Sequence, residues 1–260
     1  MSVIRSVINL VRRQINTWFK LDVVRVSGQY TLNAHVATVM KQYEVDAIID
    51  VGANEGAFGL LMRNAGFKGP IYSFEPVASA FEVLSQRASK DGAWHVFGFA
   101  LGAQAGNAQI NVSKFSQFSS ILSATSYGNT WKNMKVQHKQ DIVIRTLDDC
   151  FREGLLGKNV RYFLKMDTQG FDVEVFNGAV QFLPSICCLL SELSLIPLYE
   201  GMPTYMESLA RYNGEGFLVS GIYPVTRNEN LALNEVDCIM VHPGYAALNP
   251  VPDGCEASDG

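Results

Sequence analysis

The chain has 260 residues, 48% hydrophobic and 18% charged, enough for one sizeable α/β core and unlike a disordered, collagen-like or disulfide-scaffold protein. A net charge of −4 gives no general attraction for nucleic acid. Of the five cysteines, Cys150, Cys187, Cys188, Cys238 and Cys255, none forms a CxxC pair, so reduced thiols buried as small hydrophobes are expected and a zinc site is not.

Residues 3–20 place Val3, Val7, Leu10, Val11, Ile15, Trp18 and Phe19 at helical spacing, with Arg5, Arg12, Arg13 and Lys20 among the polar positions. A basic amphipathic helix of this kind can make peripheral membrane contact or hold a lipid-linked substrate; equally, it can pack on the domain or pair with its twin in a homo-oligomer. The arginines interrupt the apolar run too often for a secretory signal. No stretch approaches the roughly 20 apolar residues that span a bilayer, so a cytoplasmic protein is expected. The expected organisation is a helical extension over 1–45, one domain over 46–245 and a frayed tail over 246–260.

A second helix is expected over 31–43. Strands follow at 47–51 (AIIDV), 70–74 (PIYSF) and 94–97, separated by helices at 57–65 and 78–88. An extra strand is expected at 108–112, strand character resumes at 142–144, and the Ser-, Asn- and Phe-rich stretch 113–134 reads as a partly ordered lid. The fourth and fifth core strands fall at 162–166 and 186–190, with a helix over 172–182 between them. A helix at 205–212 precedes two strands, 217–222 and 236–241, that suit an antiparallel hairpin. Strands alternating with helices predict an α/β fold with a mainly parallel sheet covered on both faces.

The most informative segment is IIDVGANEGAFG, residues 48–59, where a strand runs into Gly52 and Gly56 and a helix follows. Glycines there let the backbone turn tightly and approach a ligand closely, at the carboxyl ends of the strands where open α/β sheets bind. The second glycine of the dinucleotide fingerprint GxGxxG is missing. Asp50 and Glu55 would repel a pyrophosphate but suit a ligand carrying an ammonium and a sulfonium, which favours S-adenosylmethionine over NAD. Glu75, after the second strand, is placed to accept bonds from ribose hydroxyls, and Ala100 and Leu101, after the third, to line an adenine slot.

Read together, DVGANEGAF at 50–58, FEP at 74–76, ALG at 100–102, TLDD at 146–149, FLKMDTQGFDVEVFNGA at 163–179, SEL at 191–193 and PLYEGMP at 197–203 resemble the FkbM family of S-adenosylmethionine-dependent methyltransferases. The resemblance covers roughly 45–242. It implies a Rossmann-like class I methyltransferase fold, a seven-stranded, mostly parallel sheet with an antiparallel last strand, here preceded by N-terminal helices. It also implies O-methylation of a sugar or secondary-metabolite hydroxyl. The expected cofactor contacts are Asp50, Gly52, Asn54, Gly56, Phe58, Glu75, Ala100 and Leu101. Asp172 stands where the family usually has glutamate.

A hydroxyl is a poor nucleophile, so a base or metal near the methyl group helps its transfer. Asp167, at the end of the fourth strand on the rim shared by Gly52 and Glu75, is the first candidate, and Lys165 projects to the same sheet face. Glu192 follows on the fifth strand; the two carboxylates are placed to share a divalent cation or to divide base and substrate-binding roles. His138, beside the lid, has a suitable ordinary pKa. Phe115, Phe118, Tyr127 and Trp131 are candidates for an apolar wall over a small-molecule or glycan acceptor, and Tyr199 and Glu200 for its far side. Two rivals remain open: an NAD-dependent oxidoreductase, although no Tyr-x-x-x-Lys pair is evident, and a catalytically idle cofactor-binding scaffold. Methyl transfer to nitrogen is also open, while the absence of GxSxG argues against a serine hydrolase.

Overall fold

The computed structural model describes residues 31–130 and 134–245, together with Val11, Gln14 and Trp18. Those three are helical and exposed; the rest of the helix expected over 3–20, Trp131 and the tail lie outside the described residues.

The main sheet has seven strands: β1 (Ala47–Val51), β2 (Ile71–Phe74), β3 (Trp94–Phe97), β7 (Tyr162–Met166), β8 (Ile186–Ser194), β9 (Leu218–Arg227) and β10 (Leu233–Val241). Their order is β3-β2-β1-β7-β8-β10-β9. The first five pair in parallel, while β10, last in sequence, runs antiparallel between β8 and β9. This is the expected sheet, with the hairpin in place. Every residue of β1 and β7 is buried, and the two runs are apolar except for Asp50 and Lys165, which face each other across the pair.

One apolar layer, around Phe176, Phe182 and Tyr212, covers one face of the sheet; another, around Val36, Met62, Leu84 and Trp94, covers the other. The helix Leu32–Gln42 buries Val36, Val39 and Met40 in that second layer, so it packs as part of the core. It starts on Thr31, whose hydroxyl accepts from the Ala34 amide.

The middle of the chain departs from expectation. β5 (Gly106–Ser113) and β6 (Val136–Arg145) are long antiparallel partners, and β6 also pairs in parallel with the two-residue β4 (Ala100–Leu101), in a separate sheet ordered β4-β6-β5. Its inner side chains, Ile110, Val112 and Ile142, pack against Val77 and Ala80 at the start of the helix Ala78–Ala88. The helix expected over 172–182 stops at Asn177. A side chain at Gly178 would sit 2.1 Å from the Gly102 carbonyl oxygen, so the backbones touch there, and the Asp148 carboxylate takes the amides of Gln181 and Phe182 in place of helical bonds.

Candidate functional site

The strand order reverses direction at β1, with β2 on one side and β7 on the other, and a crevice opens beyond the carboxyl ends of these strands. A cavity of about 510 Å³ lies there, within the range of small-molecule sites. Gly52 (φ 71°) turns the chain out of β1, and its amide donates to Phe74 O at 3.0 Å. A Cβ at Gly52 would lie 2.0 Å from the Asp167 carbonyl oxygen, so only glycine lets the β1 and β7 exits run this close. Asn54 follows with φ 47°.

Glu75 is 6% exposed. Its two carboxylate oxygens accept the amides of Asn54 and Val77, both at 2.8 Å. Burial pushes its pKa up to about 7 against those two hydrogen bonds. Val77, Leu101 and Phe171 supply apolar lining, and Ala100 and Leu101 reach the wall through the small sheet. Ser116, Ser119 and Ile121, from the stretch read as a lid, close another side, and Ser116 Oγ donates to Asn54 Oδ1 at 2.7 Å.

Lys165 lies beneath the loop. Its Nζ is 3.1 Å from Asp50 Oδ1 and 3.5 Å from Asp167 Oδ2, and it donates to Gly52 O at 3.2 Å. Burial opposes its charge, but the Asp50 and Asp167 carboxylates outweigh that and raise its pKa. Burial likewise raises the pKa of Asp50, against the pull of Lys165.

Gly52, Asn54, Phe58, Glu75, Ala100, Leu101 and Asp167 therefore line one cavity. Four candidates do not. Asp50 is fully buried below the loop in its pair with Lys165. Gly56 instead makes room for packing, since a side chain there would meet Leu84 at 2.8 Å and Trp94 at 3.1 Å. His138 is exposed on β6 opposite Val112, outside the cavity lining. Glu192 is not among the cavity-lining residues and accepts from Gln169, and burial, then the Asp167 charge, keep its carboxyl's pKa well above the ordinary range.

The loop carboxylates Asp50 and Glu55 do not supply the negative charge expected of them. Glu55 pairs with Arg87 at 3.2 Å, so neither it nor Asp50 faces a ligand; the lining carboxyls are Glu75, Asp167 and Asp237. Burial, then the Asp167 charge, push Asp237 up to about 7. The aromatic wall is mostly interior: Phe118, Tyr127 and Tyr199 pack with Met134, Leu198 and Met202, while Phe115 and Glu200 are exposed.

Sequence reasoning missed Gln169. Its Nε2 donates to Asp167 Oδ1 at 3.1 Å and to Glu192 Oε2 at 2.8 Å. The pair expected to share a cation is thus bridged by an amide, and no group of three or more His, Cys, Asp or Glu arranged for a metal occurs among the described residues. Asp172 braces the same turn: its carboxylate accepts from the Thr168 amide and hydroxyl, the Ser191 hydroxyl and the Glu192 amide.

This lining fits S-adenosylmethionine. The apolar slot suits adenine, Glu75 offers acceptors for the ribose diol, and Asp167 and Asp237 offer negative charge to a cationic end, with the Lys165 charge already balanced by its partners. Sheet order and cavity together define a Rossmann-like methyltransferase fold.

The sequence matches the methyltransferase FkbM domain family over residues 50–219; the chain belongs to this family and is an S-adenosylmethionine-dependent methyltransferase. No curated protein matches it. Among solved structures it is similar to Aeropyrum pernix fibrillarin with natively bound S-adenosyl-L-methionine, at 12% identity over 80% of this chain and 74% of that one, TM-score 0.43. It is also similar to precorrin-6y C5,15-methyltransferase from Geobacter metallireducens, at 12% identity over 84% and 92%, TM-score 0.42. The assignment rests on the family match and the sheet order. Among the described residues no helix is long and apolar enough to cross a membrane.

Proposed function

We propose that this enzyme transfers a methyl group to a hydroxyl oxygen of a sugar or secondary metabolite. The observation that carries the reading is Asp167: it leaves the end of β7 beside Gly52 with its side chain 41% exposed, on the cavity wall. Asp50 and Glu192 share its partners Lys165 and Gln169 but, by contrast, do not line the cavity.

In this reading Glu75 accepts the ribose hydroxyls, Ala100 and Leu101 flank the adenine, and the wall from Ser116 to Ile121 excludes water. When bound, S-adenosylmethionine supplies a methyl carbon activated by the adjoining positive sulfur. Asp167 accepts the acceptor hydroxyl's proton as the new oxygen–carbon bond forms and the carbon–sulfur bond breaks, with the bonding pair leaving on sulfur. Family membership does not favour the hydride-transfer alternative.

The test is calorimetric titration with S-adenosylhomocysteine, S-adenosylmethionine and NAD, followed by transfer of labelled methyl to a panel of hydroxylated acceptors. Expected are binding of the first two, no binding of NAD, and an O-methyl ether identified by NMR. Label recovered on nitrogen or carbon would overturn the reading.

A further inference from the structure

We propose that Gln169 is the positioning residue of this site, holding Asp167 and Glu192 in one arrangement and tying it to the wall that covers the cofactor cavity. The inference rests on the reading of Asp167 as the base and goes beyond it.

Gln169 sits on the turn after β7 with φ 55°, followed by Gly170 at φ 91°. Two left-handed residues in succession reverse the chain tightly, and for glutamine this is a backbone conformation rarely adopted. Its surroundings hold it there. The residue is 8% exposed, and every polar atom of its side chain is engaged. Nε2 reaches Asp167 and Glu192, Oε1 accepts from the Tyr199 hydroxyl at 2.9 Å, and the backbone carbonyl accepts from Ser120 Oγ at 2.8 Å. An amide turned the other way would set its oxygen against Asp167 Oδ1, so the contact with Asp167 favours the orientation seen.

The reach of these bonds explains why an amide suits this position. A neutral group with two N–H donors can hold two carboxyl groups without adding charge; glutamate would bring a third carboxyl into the cluster. Glu192 has no place on the cavity wall, so its connection to the reacting end runs through Gln169. Tyr199 also donates to Phe118 O at 3.2 Å, and Ser116 binds Asn54 at the other end of the wall. The wall is therefore fastened to the glycine loop at Asn54 and to the Asp167 side at Gln169.

Two variants test this. Gln169→Asn keeps an amide and tolerates the left-handed backbone, but is one methylene too short to span both carboxyls. Gln169→Glu keeps the length and removes the donors. Both are expected to lose about a hundredfold in kcat with little change in acceptor KM, a loss much larger than any weakening of S-adenosylhomocysteine binding, because small displacements of a catalytic group have that effect. Crystal structures of both variants with S-adenosylhomocysteine are expected to show the Asp167 side chain displaced, a readout that needs no acceptor. Asp167 and Glu192 unmoved, or wild-type kcat in either variant, would overturn the proposal. Asp167→Asn separates the two readings. Full turnover there sinks the base assignment itself; loss of turnover there with full turnover in Gln169→Asn sinks only the role of Gln169.

Discussion

Asp50 and Lys165 face each other in register across β1 and β7, and their side chains form a 3.1 Å ion pair in which Asp50 is fully buried. A buried carboxylate left without its partner is costly, so the pair matters more when half of it is removed than when all of it is. Lys165→Met is expected to destabilise the protein by about 3–5 kcal/mol, and Asp50→Asn combined with Lys165→Met by clearly less. Urea unfolding at neutral pH measures both. Equal losses would mean that the pair is not the source of the cost.

Glu75 sets a pH dependence. Its folded pKa of about 7 lies above the ordinary 4.5, so the neutral form is the one folding favours. That contribution is fully present below about pH 4.5 and is lost as pH rises to about 7, an effect of about 3 kcal/mol. Ribose hydroxyls donate more strongly to the ionised carboxylate, so ligand binding runs the other way. Affinity for S-adenosylhomocysteine is expected to rise by up to about tenfold between pH 6 and 8 and then level off. Glu75→Gln should flatten the curve. A slope that survives in Glu75→Gln and vanishes in Asp237→Asn would assign it to Asp237, which lines the same cavity and is also pushed up to about 7.

The strands and turn that form the glycine-loop side of the cavity are legible because they are local. β1, its glycine turn, β2 and the Glu75 position follow from short apolar runs and their end residues, all within thirty residues. The rest depends on register between distant segments. That Asp50 meets Lys165 needs β7 aligned on β1 across more than a hundred residues, so Asp50 read as a ligand contact. Gln169 carries no local signal, because its partners Glu192, Tyr199 and Ser120 come from three other segments. β6 was half hidden for a different reason: its exposed start, VQHKQ, lacks the alternation that marks a strand with one covered face.

Asp167 and His138 separate two kinds of candidate, one on the cavity wall and one on an open strand. Asp167→Asn is expected to lose about 10²–10⁴-fold in methyl transfer, far more than the weakening of S-adenosylhomocysteine binding that follows from the lost charge. His138→Ala is expected to retain turnover within about twofold, since surface changes of this kind are near neutral. Steady-state rates on one confirmed acceptor, alongside calorimetry, give both numbers. A large loss in His138→Ala would return that side chain to the reaction.

Two glycines with left-handed backbones distinguish strain from collision. At Gly66 (φ 94°) a Cβ would meet nothing within 4 Å, so Gly66→Ala adds only the conformational cost, about 1–2 kcal/mol. At Gly52 (φ 71°) the same atom would lie 2.0 Å from the Asp167 carbonyl oxygen and 2.9 Å from its carbon, both backbone atoms that cannot swing aside. Gly52→Ala must therefore push the β1 turn away from the β7 exit, adding a further cost on the order of 1–3 kcal/mol to the strain. It also displaces Asn54 and Asp167 relative to each other. The expected result is a lower melting temperature in both variants, with S-adenosylhomocysteine binding kept in Gly66→Ala and lost in Gly52→Ala. Equal binding in the two would show that the contact between these strand exits does not set the cavity's shape.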